Sequence, residues 1–122
     1  MFSANIDTKK NRLYLFLGGI TEKKEFSEAI AETERLVRFL DQNFTCISDL
    51  RGFHFKDKDH YFMQSIQETL WDAGVKHVIR VVDEKCVKRF SFEKKSAVWP
   101  GYTTETAFSL DEAEIILSTK GL

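Results

Sequence analysis

The chain has 122 residues, 18 of them basic and 19 acidic, for a formal net charge of −1. That length suits one domain over residues 1–122, and the near-even charge offers no strong field toward nucleic acid or an anionic membrane. Two cysteines, Cys46 and Cys86, are too few for a disulfide scaffold or a zinc cluster, while eleven phenylalanines and one proline describe a chain that folds around an aromatic-rich core.

Phe2 to Ile6 and Arg12 to Leu17 read as short strands joined by the turn-prone Asp7-Thr8-Lys9-Lys10-Asn11, an antiparallel hairpin at a sheet edge. Leu13, Leu15 and Leu17 alternate with Tyr14 and Phe16, so the second strand is apolar on both faces and belongs inside a covered sheet. Gly18-Gly19 ends it. Thr21 is the expected cap of a helix from Glu22 to Leu40, with Glu22 and Glu25 at the positive end of its dipole. Phe26, Ala29, Ile30, Thr33, Val37 and Leu40 form its apolar stripe. Phe44 to Leu50 is the next strand, parallel to the second because a helix intervenes. Cys46 within it behaves as a small hydrophobe.

A second helix spans Lys58 to Ala73, with Phe62, Ile66, Thr69, Leu70 and Ala73 inward and Gly74 as its stop. Tyr61, Met63 and Trp71 fall off that stripe, as an aromatic edge for self-association or for packing against loops. His77 to Val82 is a third parallel strand. From Glu84 to Ser96 the pattern suits a poorer helix, broken by Trp99-Pro100-Gly101. Glu105 to Phe108 is a short strand, and Ser109-Leu110-Asp111-Glu112 is a capping box opening a last helix with Ala113, Ile116 and Leu117 inward. The order predicts an α/β single domain: a mixed, mostly parallel sheet of about four or five strands with helices on both faces.

The strand ending at Leu50 runs into a charged loop, and loops at the carboxyl ends of parallel strands are where ligands and partners gather. It reads Asp49-Leu50-Arg51-Gly52, then Phe53-His54-Phe55, then Asp57-Lys58-Asp59-His60 opening a helix. With Phe108-Ser109-Leu110-Asp111-Glu112-Ala113 near the end and the same order of elements between, residues 2–120 resemble the STAS family, the domain of sulfate-transporter tails and anti-sigma-factor antagonists. The resemblance implies a STAS-like fold and a non-catalytic, regulatory protein-interaction module. Its contact loop would comprise Arg51, Gly52, His54, Asp57, Lys58, Asp59 and His60, facing a protein partner. The phosphorylated Ser or Thr of the antagonists falls on Asp59, which has no hydroxyl, and the following glycine falls on His60. Asp59 then stands in for the phosphorylated state with about half its charge, or Asp57 or Asp59 simply caps the helix. The alternative function is a domain binding a small apolar or anionic, lipid-like ligand, its phenylalanines lining a pocket beside Arg51.

Other constellations are weaker. His54, Asp57, Asp59 and His60 can ligate metals, but their spacing matches no standard pattern, so no metal is expected. His77 and Cys86 are separated by a strand's length, and no nucleophile elbow, phosphate loop or dinucleotide fingerprint is present. Catalytic residues and cofactors are therefore not expected. Lys85, Lys88, Arg89, Lys94 and Lys95, joined by Arg80, make a local basic patch best read as a solvated helix face. With no apolar run of about 18 residues and no charged-then-apolar leader at Met1, the expectation is a soluble cytoplasmic protein. Neither nucleic acid nor a membrane is an expected partner, and a homodimer is compatible.

Overall fold

Alternation along five short strands organises the molecule. The computed structural model describes residues 1–53, 60–84 and 103–122. Strands β1 (Ser3–Asp7), β2 (Arg12–Phe16), β3 (Thr45–Asp49), β4 (His77–Val81) and β5 (Thr103–Ala107) lie side by side in chain order. β1 runs antiparallel to β2, and each later pair is parallel. The hairpin turns through Asn11 at φ 53, while Asp7 accepts the backbone N–H groups of Lys9 and Lys10, turn chemistry natural to Asp and Asn. Among the described residues there are three helices, α1 (Lys24–Val37), α2 (His60–Ala73) and α3 (Leu110–Thr119).

Successive strand residues point to opposite faces. Leu13, Leu15, Cys46 and Val78 meet Ala29 and Leu36 of α1 and Phe62, Ile66 and Leu70 of α2 in the larger core. Ile47, Ile79, Val81 and Ala107 meet Ala113 and Leu117 of α3 on the other side. The expected mixed sheet with helices on both faces is therefore present. β3 and β4 are buried along their whole length. Each fully buried Ile, Leu or Val there contributes about 1.5–3 kcal/mol, which makes the middle of the sheet the centre of stability.

Several expectations need correction. Thr21 does not cap α1: the helix begins at Lys24, and Lys23 at its cap has helical backbone angles and no side-chain bond. Glu25 takes over by reaching back, its Oε1 accepting the backbone N–H groups of Thr21 and Glu22 and the Thr21 hydroxyl. The Thr21 N–H foremost, then the Met1 amino group at 3.0 Å and the Glu22 N–H, hold its carboxyl down to about 2. Met63 is buried with Phe62 because α2 packs on α1 as well as on the sheet, which widens its apolar stripe. Tyr61 and Trp71 stay exposed. Arg80 is buried within β4 and so cannot join a surface patch. β5 starts at Thr103, where pairing with His77 begins, and stops at Ala107, leaving Phe108 exposed.

Two local signals act as expected. Ser109 accepts the Glu112 N–H at 3.1 Å, and Glu112 accepts the Phe108 N–H at 3.1 Å. Gly74 ends α2 at φ 94, a left-handed angle that glycine adopts without steric cost. Beyond Glu84, the expected third helix lies outside the described residues, as do Cys86 and Lys85, Lys88, Arg89, Lys94 and Lys95.

Candidate functional site

Three chain segments converge at the carboxyl ends of β2, β3 and β4. Leu17 donates its N–H to the Asp49 carbonyl at 3.0 Å, and Leu50 donates to Val81 at 2.8 Å, so the ladder runs to the rim. Asp49 closes β3, and Arg51, two residues on, stands at the start of the turn that follows. Asp49 Oδ1 accepts the Arg51 backbone N–H at 3.1 Å and Nε at 3.0 Å, while Oδ2 accepts Nη2 at 2.8 Å. This is the two-point fork geometry that suits guanidinium and carboxylate. The bonds to Asp49, then the charges of Asp49 and Asp83, raise the Arg51 pKa further.

The turn beyond is built from glycine. Gly52 sits at φ 80 and donates its N–H to Asp83 Oδ2 at 3.2 Å, which ties the β3 loop to the end of β4. Gly18 packs against the same turn so closely that a Cβ there would lie 1.9 Å from the Arg51 carbonyl oxygen. Phe53, buried, then stacks with Phe62 of α2 at 6.1 Å and meets Phe26 of α1 at a tilt at 6.3 Å, and those two rings stack 4.3 Å apart. The loop is thus anchored by Phe53 at its start and by α2 at its end.

Of the residues read from the sequence as a contact loop, Arg51 and Gly52 stand at this rim. His60 opens α2, with its side chain outside the description. His54, Asp57, Lys58 and Asp59 lie outside the described residues. Sequence reasoning missed the roles of Asp49, Asp83 and Gly18, although the Asp-x-Arg spacing at a strand end was a usable signal for the first. Phe26, Phe53 and Phe62 pack on one another as one ring cluster. Two surface hollows, of about 540 and 460 Å³, lie elsewhere, and neither has Arg51 in its lining.

Compared with family models, curated proteins and solved structures, the chain matches none. Its chemistry is therefore read from the residues alone. Arg51 uses two of its five side-chain N–H groups on Asp49, and its side chain is 40% exposed. Among the described residues the rim thereby offers an oriented guanidinium with donors left for a carboxylate or phosphate. Cys46, by contrast, is fully buried, and burial pushes its thiol up to about 12. A neutral, enclosed thiol is not a nucleophile. No helix among the described residues is long and apolar enough to cross a membrane.

A second polar cluster lies at the opposite, amino-terminal ends of the strands, beneath α3. Arg12, buried, donates Nε to Thr45 Oγ1 at 3.1 Å, Nη1 to Glu114, and Nη2 to the Leu122 carbonyl at 2.8 Å. The Tyr14 hydroxyl donates to Glu114 Oε1 at 2.6 Å. Burial raises the Tyr14 pKa, and its bond to Glu114 adds to the rise. Burial also pushes Glu114 up, but Tyr14, Arg12 and Lys10 together outweigh it, and its pKa is lowered. Alongside, His77 Nε2 lies 2.8 Å from Glu105 Oε2, the contact that does most to lower the Glu105 pKa. These groups satisfy one another, and the cluster reads as the fastening of α3 to the sheet.

Proposed function

We propose that this chain is a non-catalytic interaction module, STAS-like in architecture, whose contact surface is the loop from Arg51 to His60 with the start of α2. The observation that supports this reading is the clasp of Asp49, Arg51, Gly52 and Asp83. It fixes the orientation of Arg51 at the sheet rim while leaving the guanidinium partly exposed, and an oriented side chain loses less entropy on binding. A partner group of carboxylate or phosphate type fits the remaining Arg51 donors. Loops at strand ends vary without disturbing the sheet, so partner choice resides there. Because position 59 is Asp, the antagonists' phosphorylation switch has no acceptor, and binding is constitutive or set by abundance.

The test begins with a partner recovered by pull-down from the native host, whose affinity is then measured for the wild type, Arg51→Ala, Asp59→Ser and Asp59→Lys. Arg51→Ala is expected to weaken binding about tenfold or more, the loss of one charge-assisted bond pair. Asp59→Lys reverses a charge in the same loop and weakens or strengthens binding according to the partner's sign. Equal affinity for all four forms removes the loop from the interface. Turnover of a substrate by the purified protein ends the non-catalytic reading.

A further inference from the structure

Among the described residues, β1 is an edge strand with one open side. Which of its backbone groups face outward follows from the ladder. Thr45 donates its N–H to the Asn11 carbonyl, and Leu17 donates to Asp49. In and beside β2 the odd-numbered residues therefore turn their backbone groups to β3, and Arg12, Tyr14 and Phe16 turn theirs to β1. The register pairs these three with Asp7, Asn5 and Ser3. Phe2, Ala4 and Ile6 are left with N–H and C=O groups directed outward. Their side chains pack on the α1 and α2 face, partly buried. β1 carries no proline or lysine, the usual guards of an open edge.

Beside this edge runs a groove of about 540 Å³, between Phe2 and Ala4 on the strand and Glu28, Ala31, Glu32 and Arg35 on α1. From these features we infer that the β1 edge and its α1 flank form the interface for a second copy of this chain. A two-fold axis through Ala4 sets Ala4 against its own equivalent and Phe2 against the second copy's Ile6. The outward donors and acceptors then meet in an antiparallel ladder, and the two sheets become one. The same axis brings α1 antiparallel to its equivalent. Midway between Glu28 and Arg35 lies the pair Ala31 and Glu32, so each Glu28 faces the other copy's Arg35 and each Ala31 the other copy's Glu32, whose charge is balanced by its own Arg35. Among the described residues the Glu28 side chain makes no ion pair or hydrogen bond, whereas Arg35 spends two side-chain N–H groups on Glu32 and keeps three. Backbone and charge are thus self-complementary about one axis, as an isologous dimer requires. A separate peptide strand would satisfy the ladder but not the reciprocal Glu28 and Arg35 pattern. The interface uses no residue of the β3 loop, so this inference and the proposed function stand or fall separately.

Sedimentation equilibrium of the full chain over a dilution series decides the matter. The wild type is expected to be a dimer. Ala4→Pro removes an outward N–H that takes no part in the internal ladder, and proline is tolerated on sheet edges. It should be monomeric with the circular dichroism spectrum unchanged. Glu28→Lys and Arg35→Glu should each weaken dimerisation about tenfold or more by placing like charges at both symmetric contacts. Mixing those two variants should restore wild-type affinity as a heterodimer, since every contact then joins opposite charges. A monomeric wild type, an Ala4→Pro variant that dimerises as the wild type does, or a mixture that fails to recover would each overturn the inference.

Discussion

A methyl group added at Gly18 would sit 1.9 Å from the Arg51 carbonyl oxygen, and that oxygen belongs to backbone already held by Asp49 and Asp83. Neither side can yield without breaking the clasp. Gly52 poses the opposite problem, with space around it, its nearest neighbour 3.8 Å from a Cβ, but φ at 80. Steric overlap with backbone that is held in place costs more than a single left-handed residue. Gly18→Ala is therefore expected to lose more than about 2 kcal/mol, and Gly52→Ala about 1 kcal/mol. Urea unfolding of the two variants compares them directly, and equal midpoints would mean that the β2 end is not clamped against Arg51.

α3 is fastened as much by charge as by its apolar face, which offers only Ala113 and Leu117 as fully buried anchors. Glu114 lies between Tyr14 and the buried Arg12. Its folded pKa is lowered from the ordinary 4.5, so its contribution is complete above that value and fades as pH falls through the lower folded one. Glu114→Gln should cost about 1–3 kcal/mol at neutral pH, and thermal melts should show the gap to the wild type closing in acid. A gap independent of pH would assign the loss to packing alone. Patterning had made the elements legible: alternating leucines marked β2, Val and Ile marked β4, and the Ser109 box marked the start of α3. Arg12, by contrast, stood only as the first residue of a strand, because nothing local announces that Glu114, 102 positions away, will reach it. The candidate site divides in the same way. Arg51 and Gly52 stood out as a charged turn after an apolar run, whereas the clasp depends on β3 lying beside β4, which brings Asp83 to Gly52. Thr21 misled because a Ser or Thr before a helical pattern signals a cap only when the chain turns there, and Glu25 supplied the bonds instead.

Across the whole molecule, the two cores share a single sheet. Cys46 and Val78 serve the α1 and α2 side, while their neighbours Ile47 and Ile79 serve the α3 side. Loss of either cover exposes strands whose other face is still packed, so the faces should unfold together, as small domains commonly do. Leu117 is fully buried under α3, and Leu117→Ala should cost about 2–5 kcal/mol through lost burial and the cavity left behind. Trp71 lies on the outer side of α2, the helix that covers the opposite face, and with Trp99 replaced by Phe it becomes the sole tryptophan reporter. In that background, Leu117→Ala should lower the urea midpoint seen by Trp71 fluorescence by the same amount as the midpoint seen by circular dichroism. A Trp71 transition that stays in place while the dichroism transition moves would mean that α3 peels away alone. The sheet would then couple its two faces less tightly than its shared strands imply.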